Sequence, residues 1–307
     1  MVARPRSLHS VSVLRQALLE VKGKILWHEL LAPYTSLNVG GDADVLVFPV
    51  DVDDAIRVVR GARKNHIPLV VLGGTNVLIR DKGIRGIVMQ LKHLTMIQEN
   101  PGQVVYAQAG VRLPKLMQFA LSRKLSGMEW AAGIPGTVGG GVVMNAGTRL
   151  GQMQDVLQAV DFVTIHGIRK RLETSLLSFL YRKTILPQGI VVGAWMQLRS
   201  AGKDAIQSAT KNYLQYRKGT QPLTLPNAGS VFKNPSGDSA GRLIEEAGLK
   251  GLRIGDAEVS SKHANFIVNR GEATAEQVLL LVRKVRDRVA RKFGIRLKLE
   301  WKVLGER

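Results

Sequence analysis

"GIPGTVGGGVVMNAG", residues 133–147, mixes backbone freedom with apolar surface: six of its fifteen positions are glycine, and Ile134, Val138, Val142, Val143 and Met144 stand among them. Thr137 and Asn145 are its polar side chains. The run is too short for a membrane-spanning helix, which needs ~20 mainly apolar residues. Each glycine also weakens a helix by roughly 1 kcal/mol relative to alanine. Two readings stay open. The stretch is a buried strand between turns, or its glycines let backbone N–H groups approach a bound anion, as phosphate-cradling loops do.

The whole chain narrows the choice. Its 307 residues are 45% hydrophobic, enough for a sizeable core and for more than one domain. It has no cysteine, which excludes disulfides, thiolate metal sites and a cysteine nucleophile, and suggests a cytosolic protein. Residues 1–24 are basic, but Arg15 interrupts the apolar run from Val11 to Leu19, so they read as an amphipathic helix and not as a signal peptide. No stretch suits a membrane span. The formal net charge of +20 favours an anionic partner, either nucleic acid or a phosphate-rich small molecule. Aromatic residues make up only 5%, a poor supply for base stacking. The densest basic run, "RKVRDRVARK" at 283–292, lies on a helix whose apolar stripe is Val278, Leu281, Val282, Val285 and Val289, so its cations read as the solvated face.

Strand-like and helical segments alternate from Val45 to Ser200. Strands are predicted at 45–50, 68–74, 83–91, 103–110 and 190–198, and helices at 51–66, capped by Asp51, and 113–124, with Pro114 in the first turn. A helix at 203–217 and a turn-rich link at 218–229 follow. Beyond it come a helix from Ala240 to Ala247, strands around 256–260 and 265–269, and a long helix whose Thr274 and Gln277 fit a capping box. The end alternates: Leu297, Leu299, Trp301 and Val303 on one face, Lys298, Glu300 and Lys302 on the other. The fold class is α+β. The expected organisation is a helical segment at 1–37, a first domain at 38–201 and a smaller one at 202–307.

Three further segments carry candidate chemistry. "VVLGGTNVLIRD", residues 70–81, places Gly73, Gly74, Thr75 and Asn76 between apolar runs; it suits a pyrophosphate, or is an ordinary hairpin. Neither glycine segment contains G-x-G-x-x-G, and no G-x-x-x-x-G-K-[ST] occurs, so the chain has neither a Rossmann fingerprint nor a P-loop. "NAGSVFKNP", residues 227–235, presents Ser230 near Lys233 and Asn234. This is a polar β-turn, or a serine that gives up a proton with a cation nearby to stabilise its alkoxide. No G-x-S-x-G elbow surrounds it, which argues against a hydrolase nucleophile. "SSKHANFIVN", residues 260–269, offers Lys262, His263 and Asn265 to a phosphate or carboxylate, or is a polar loop before a core strand. The other histidines, His9, His28, His66, His93 and His166, lack metal-ligand spacing, so no metal site is expected.

In order along the chain stand "YTSLNVGGDAD", "LGGTNVLIRD", "GIPGTVGGGVVMNAG", "YR" at 181–182, "QP…AGSVFKNP", "KHANFIVN" and the terminal "LEWKVLGE". From about Tyr34 onward the chain thus resembles the UDP-N-acetylenolpyruvoylglucosamine reductases, flavoenzymes of bacterial cell-wall precursor synthesis, and in particular their shorter class. The resemblance implies an FAD-binding domain of the vanillyl-alcohol oxidase (p-cresol methylhydroxylase) type with a smaller α+β substrate-binding domain. It assigns FAD to Gly73, Gly74, Thr75, Asn76 and Leu78, and to Gly133, Ile134, Pro135, Gly136, Thr137, Gly139, Gly140, Asn145, Ala146 and Gly147. It assigns substrate binding to Tyr181, Arg217, Lys233, Asn234, Lys262, His263 and Asn265.

Catalysis falls, on the same ground, to Arg182, Ser230 and Glu300. The implied reaction has two halves: NADPH reduces tightly bound FAD, and UDP-N-acetylglucosamine-enolpyruvate then takes the hydride. Arg182 would stabilise the enolate-like charge, Ser230 protonate the adjacent carbon, and Glu300 orient the site or assist proton movement. No nucleic-acid partner and no membrane insertion are implied, and the expected location is the cytoplasm. A different flavoenzyme of the same fold fits the catalytic set less well. A basic nucleic-acid-binding protein would lack the yellow colour of a flavoprotein. The chain departs from the family pattern at Thr75, where serine is commoner, and at Gly141, where alanine is usual. "NAGTRLG" at 145–151 makes a longer turn that adds Arg149.

Overall fold

The computed structural model describes residues 10–307; His9 and the start of the expected N-terminal helix lie outside the described residues. The first helix, α1 (Val11–Ala17), is capped by Ser10 and buries Leu14 and Ala17. The segment before residue 38 is not only helical. Residues Lys24–Leu30 form strand β1, which pairs antiparallel with β2 (Asp42–Phe48). "KILWHEL" hides this because its residues are half-exposed without clean alternation, and because His28, at φ +51°, skips a place in the ladder.

Helix α2 (Val52–Lys64) starts where expected. Asp51 accepts from the Asp54 N–H at 2.7 Å, and acidic and basic residues occupy its first and last turns. Its apolar side covers the sheet β1-β2-β5-β3, in which β3 (Leu69–Val71) and β5 (Ile84–Met89) run parallel to β2. Strands β2 and β5 are buried on both faces, hence the apolar runs Val45–Phe48 and Ile87–Met89 beyond the buried Asp44–Arg85 ion pair. Strand β4 (Val77–Ile79) follows the first glycine loop but does not pair with β3. The Gly73–Gly74 turn is therefore not a hairpin. Gly74, at φ +81°, has no room for a side chain, because a Cβ would stand 2.5 Å from the Tyr34 carbonyl oxygen.

The second layer begins with β6 (Ile97–Asn100), β7 (Val104–Gln108), α3 (Leu113–Ser122) and β8 (Leu125–Ser126). Residues 138–144 then form a helix, α4 (Val138–Met144), which corrects the expectation of a buried strand. Thr137 caps it, and Asn145 ends it in the left-handed conformation at φ +41°. The glycines that disfavour a helix in isolation permit one here because it packs so closely. A Cβ on Gly139 would lie 2.9 Å from the Ala109 Cβ, and one on Gly141 2.9 Å from the Met153 Cε. Tertiary packing outweighs propensity.

Next come β9 (Gly147–Thr148), β10 (Gly151–Gln152), β11 (Leu157–Thr164), β12 (Arg169–Glu173), β13 (Ser178–Leu180), β14 (Lys183–Ile185), β15 (Gly189–Gln197) and β16 (Arg199–Ser200). They complete an antiparallel five-stranded sheet, β12-β11-β15-β7-β6. Its strand β11 carries Asp161, which is buried and bonded to the Tyr106 hydroxyl at 2.7 Å and to Arg169 at 2.9 and 2.6 Å.

Helix α5 (Lys203–Thr220) lies against α3. The last unit is the antiparallel sheet β17-β20-β19-β18, formed by β17 (Asn227–Ser230), β18 (Arg253–Ile254), β19 (Ala257–Val259) and β20 (Phe266–Asn269). Helices α6 (Ala240–Glu246) and α7 (Ala275–Phe293) share its core, with Val278, Leu281, Val285 and Val289 on the inner stripe of α7. The capping box of Thr274 and Gln277 forms as expected. Asp81, just beyond β4, adds bonds to the Ala275 and Glu276 N–H groups at 2.7 and 2.9 Å. The exposed face of α7 carries Arg283, Lys284, Arg288, Arg291 and Lys292.

The C-terminal segment joins the units. It is not one continuous strand: Leu299 bridges Phe232, the Glu300 N–H donates to Val231 O at 2.8 Å, and the Lys302 N–H donates to Asn76 O at 3.1 Å. Only β21 (Lys302–Leu304) is regular, and it pairs parallel with β4. Glu300 is thereby carried from one unit to the seam with the other. No helix among the described residues is long and apolar enough to cross a membrane.

Candidate active site

A cavity of about 1450 Å³ opens along that seam. Gly73, Gly74, Thr75 and Asn76 wall it on one side, and Ile134, Pro135, Gly136, Thr137, Gly139, Gly140, Ala146 and Gly147 on another. The two glycine segments face each other closely: a Cβ on Gly136 would stand 3.3 Å from the Thr75 Oγ1. A Cβ on Gly73 would meet nothing within 4 Å, so that backbone faces open space. Among the described residues, the N–H groups of Gly73 to Asn76 donate to no protein acceptor. Consecutive free N–H groups of this kind form a nest for an anion such as a pyrophosphate. The Ser36 hydroxyl, on the same cavity wall, is buried without a partner, while its N–H holds Gly74 O at 2.8 Å. A buried hydroxyl left unpaired is costly, so this wall is built for a polar ligand.

Three of the expected FAD residues support the loops from behind. Leu78 is fully buried in the core. Gly133, at φ +68°, packs on Leu214 and Arg217. The Asn145 side chain ties α4 to Gln152, Gln154 and the Leu180 carbonyl.

The catalytic candidates meet across the cavity. Tyr181 and Arg182 form the two-residue turn between β13 and β14. Arg182 is left-handed at φ +57°, a conformation that costs a non-glycine residue of order 1 kcal/mol and persists where the surroundings impose it. Its Nε lies 3.4 Å from the Glu300 Oε1, with the side chains 21% and 13% exposed. Burial raises the Glu300 carboxyl above the ordinary carboxylate value, while the Arg182 and Lys233 charges pull the other way. Ser230 ends β17 on the same cavity wall. Asn76 of the first glycine loop donates to the Glu300 carbonyl at 3.4 Å, linking the loop to the segment that carries Glu300.

The expected substrate positions divide. Arg217 lines the cavity and is buried; it donates to Ala132 O at 3.3 Å and to Gln221 Oε1 at 2.9 Å, and burial pulls it below the ordinary arginine value. Tyr181 is exposed, with its ring 5.0 Å from the Arg182 guanidinium and 5.9 Å from the Lys233 ammonium. Lys233 donates to Tyr181 O at 3.0 Å, and Lys262 to Lys218 O at 2.5 Å.

Of the seven expected substrate positions only Arg217 lines the cavity; Tyr181, Lys233, Asn234, Lys262, His263 and Asn265 do not. Asn234 accepts from the first N–H of α6 at 3.1 Å. Asn265 is buried and clamps the Phe232 backbone at 2.9 and 2.8 Å. His263 accepts from the Asn265 N–H, packs on Phe266, and is lowered in pKa by burial. The wall also includes Ser36, Gln90, Arg112 and Lys302, which sequence reasoning did not assign to it. Only Lys302 had a signal, its place on the polar face with Glu300. Burial, and then the Lys183 charge, hold its ammonium below the ordinary lysine value.

A glycine-walled cavity with free backbone N–H groups, edged by arginine, serine and glutamate, suits a phosphate-bearing ligand and a reaction that develops negative charge. Residues 43–173 match the FAD binding domain family, and residues 221–304 match the C-terminal domain of UDP-N-acetylenolpyruvoylglucosamine reductase. A reductase of that name from Symbiobacterium thermophilum is 46% identical over 92% of this chain and 93% of its own length. One from Desulforamulus reducens is 45% identical over 93% of this chain and 95% of its own. The crystal structure of the Thermus caldophilus enzyme matches with a TM-score of 0.80 at 39% identity, covering 92% of this chain and 99% of that one. The chain belongs to the UDP-N-acetylenolpyruvoylglucosamine reductase family.

Proposed function

We propose that this protein reduces the enolpyruvyl group of UDP-N-acetylglucosamine-enolpyruvate to give UDP-N-acetylmuramate, a step in peptidoglycan precursor synthesis. NADPH is the reductant. The observation that carries the reading is the Arg182–Glu300 pair, set with Ser230 on the wall of a cavity whose glycine loops suit a dinucleotide. The loops at 73–76 and 133–140 and the Ser36 hydroxyl would hold FAD. When bound, FAD would supply the two-electron hydride chemistry that links NADPH to the enolpyruvyl group.

The chain's own residues do the rest. Glu300 engages Arg182 through Nε, leaving the Nη groups for the substrate carboxylate. A guanidinium pairs with a carboxylate bidentately, and so stabilises the negative charge that grows there as the carbon accepts hydride. Ser230 gives its proton to the carbon beside the carboxylate. Glu300, whose burial favours its protonated form, is suited to restore that proton. Arg217 and Lys302 supply cationic groups for the substrate's phosphates. In this reading residues 38–201 are the FAD-binding domain and 202–307 the substrate-binding domain, with the segment before them packed on the first. The site of action is the cytoplasm, where nucleotide sugars and NADPH are found.

The test is Ser230→Ala in the two half-reactions. Flavin reduction by NADPH needs no proton for the sugar and should stay within about twofold of wild type. Reoxidation by the UDP-enolpyruvyl sugar without oxygen should slow by ~10²–10⁴, the usual contribution of general acid catalysis. Prompt reoxidation would eliminate Ser230 as the proton donor.

A further inference from the structure

Arg149 occupies the tip of the β9–β10 hairpin. Thr148 pairs with Gly151, so Arg149 and Leu150 form the turn, and the Leu150 N–H binds the Thr148 hydroxyl at 3.2 Å. From there the guanidinium reaches α5, where it lies 4.1 Å from the Tyr216 ring centre and 5.9 Å from that of Tyr213. The two rings are near parallel, at 22°. Stacking fixes a guanidinium without using its N–H groups, which remain free to bind an anion. Among the described residues Arg149 makes no side-chain hydrogen bond or ion pair, and it is exposed.

The place of this free guanidinium matters. Gly147 and Thr148 of the hairpin line the cavity, and so do Tyr213 and Arg217 of α5. Arg217 lies one helical turn beyond Tyr213 and has no carboxylate partner among the described residues. Arg149 itself stands just outside the lining, beside Tyr213, so the mouth between hairpin and helix is flanked by two arginines without counter-charges among the described residues and by an aromatic ring. That is the composition of a phosphate site: the arginine fork matches phosphate geometry, and the ring holds one fork in place.

We infer that Arg149 binds a phosphate group of a nucleotide ligand at the cavity rim, together with Arg217. This rests on reading the cavity as that of a nucleotide-sugar reductase. Two ligands of that reaction carry phosphate, the UDP-sugar and NADPH. The rival role is purely mechanical, in which Arg149 only latches the hairpin to α5.

The test compares wild type, Arg149→Gln and Arg149→Lys. Steady-state rates are measured with each substrate varied in turn, alongside FAD content and melting temperature. Calorimetry with inorganic pyrophosphate reports anion binding without turnover. Loss of a charge-assisted contact should raise one KM roughly ten- to hundredfold in the Gln variant, far more than kcat falls. The Lys variant should recover part of the loss. Added salt should raise the wild-type KM more steeply than that of the Gln variant. A change confined to the sugar KM assigns the diphosphate of the UDP-sugar; one confined to the NADPH KM assigns the dinucleotide. Pyrophosphate should bind wild type and bind the Gln variant roughly tenfold more weakly. Unchanged KM values and unchanged pyrophosphate binding would overturn the inference. So would a joint fall in FAD content and melting temperature with no selective KM change, the mark of a latch. If wild type failed to reduce the sugar, the reading of the cavity would fall, while the pyrophosphate arm would still judge Arg149.

Discussion

Replacing Glu300 with Gln keeps the side chain's volume and removes its charge, so it separates a chemical role from a structural one. The carboxyl is 13% exposed and meets the Arg182 Nε at 3.4 Å, a long contact to a partner itself 21% exposed. A contact this long between partly buried groups nets only ~0–1 kcal/mol, because their desolvation offsets the weak Coulomb gain. Burial raises the native pKa of Glu300 above its unfolded value despite Arg182 and Lys233. A group raised in this way adds stability below its unfolded pKa, and that contribution is lost as pH rises through the native one. Once ionised, the carboxyl therefore gives the fold little. Glu300→Gln should change stability by less than ~1 kcal/mol, a shift in melting temperature of no more than about 4 °C for a chain of this size. Turnover should instead fall by ~10²–10⁴, the range for a residue that handles a transferred proton. The assay is NADPH consumption in the presence of the UDP-enolpyruvyl sugar, beside melting curves of the same preparations. On the proposed role, in which the protonated form acts, the wild-type rate should decline as pH rises through an ionisation above the ordinary carboxylate range. That limb should be missing from the variant. Turnover within about threefold of wild type, in a variant that retains FAD, would refute the chemical role.

Two substitutions test the framework. Gly136→Val places a branched side chain at φ +150° and a Cβ 3.3 Å from the Thr75 hydroxyl, so it should wedge the glycine segments apart. FAD content after purification should drop sharply while far-ultraviolet circular dichroism stays that of wild type; full occupancy would contradict the cradle. Asp81→Ala removes two hydrogen bonds from the first turn of α7, at 2.7 and 2.9 Å, and should cost ~0.5–2 kcal/mol in denaturant unfolding. An unchanged unfolding midpoint would show that Asp81 is not a cap.

The elements that were legible in the sequence carry their signals locally. Helices α2 and α7 combine an apolar stripe with capping residues at the right spacing, and they begin where these indicate. Helix α4 was not legible, because what permits it is close packing on Ala109 and Met153. In β11, Asp161 breaks the apolar run, and the Tyr106 and Arg169 that satisfy it come from other strands. The proposed catalytic group shows the same limit. Arg182, Ser230 and Glu300 lie on three distant segments, so no spacing connects them; only the family resemblance does. The resemblance implied that the last strand returns Glu300 to the site; the structure adds the path of that crossing segment and its contact with Arg182. Ser36 lies in the motif "YTSLNVGGDAD", but its part in the wall was not legible there, because its unsatisfied hydroxyl appears only in three dimensions.

An anaerobic absorbance titration bears most directly on the reading of the cavity as a flavin site for nucleotide-sugar reduction. The purified protein, supplied with FAD if needed, should show flavin bands that bleach on addition of NADPH. They should return when UDP-N-acetylglucosamine-enolpyruvate is added, with one UDP-N-acetylmuramate formed for each NADPH consumed. A protein that takes up no FAD, or one whose reduced flavin persists in the presence of the sugar, would contradict that reading.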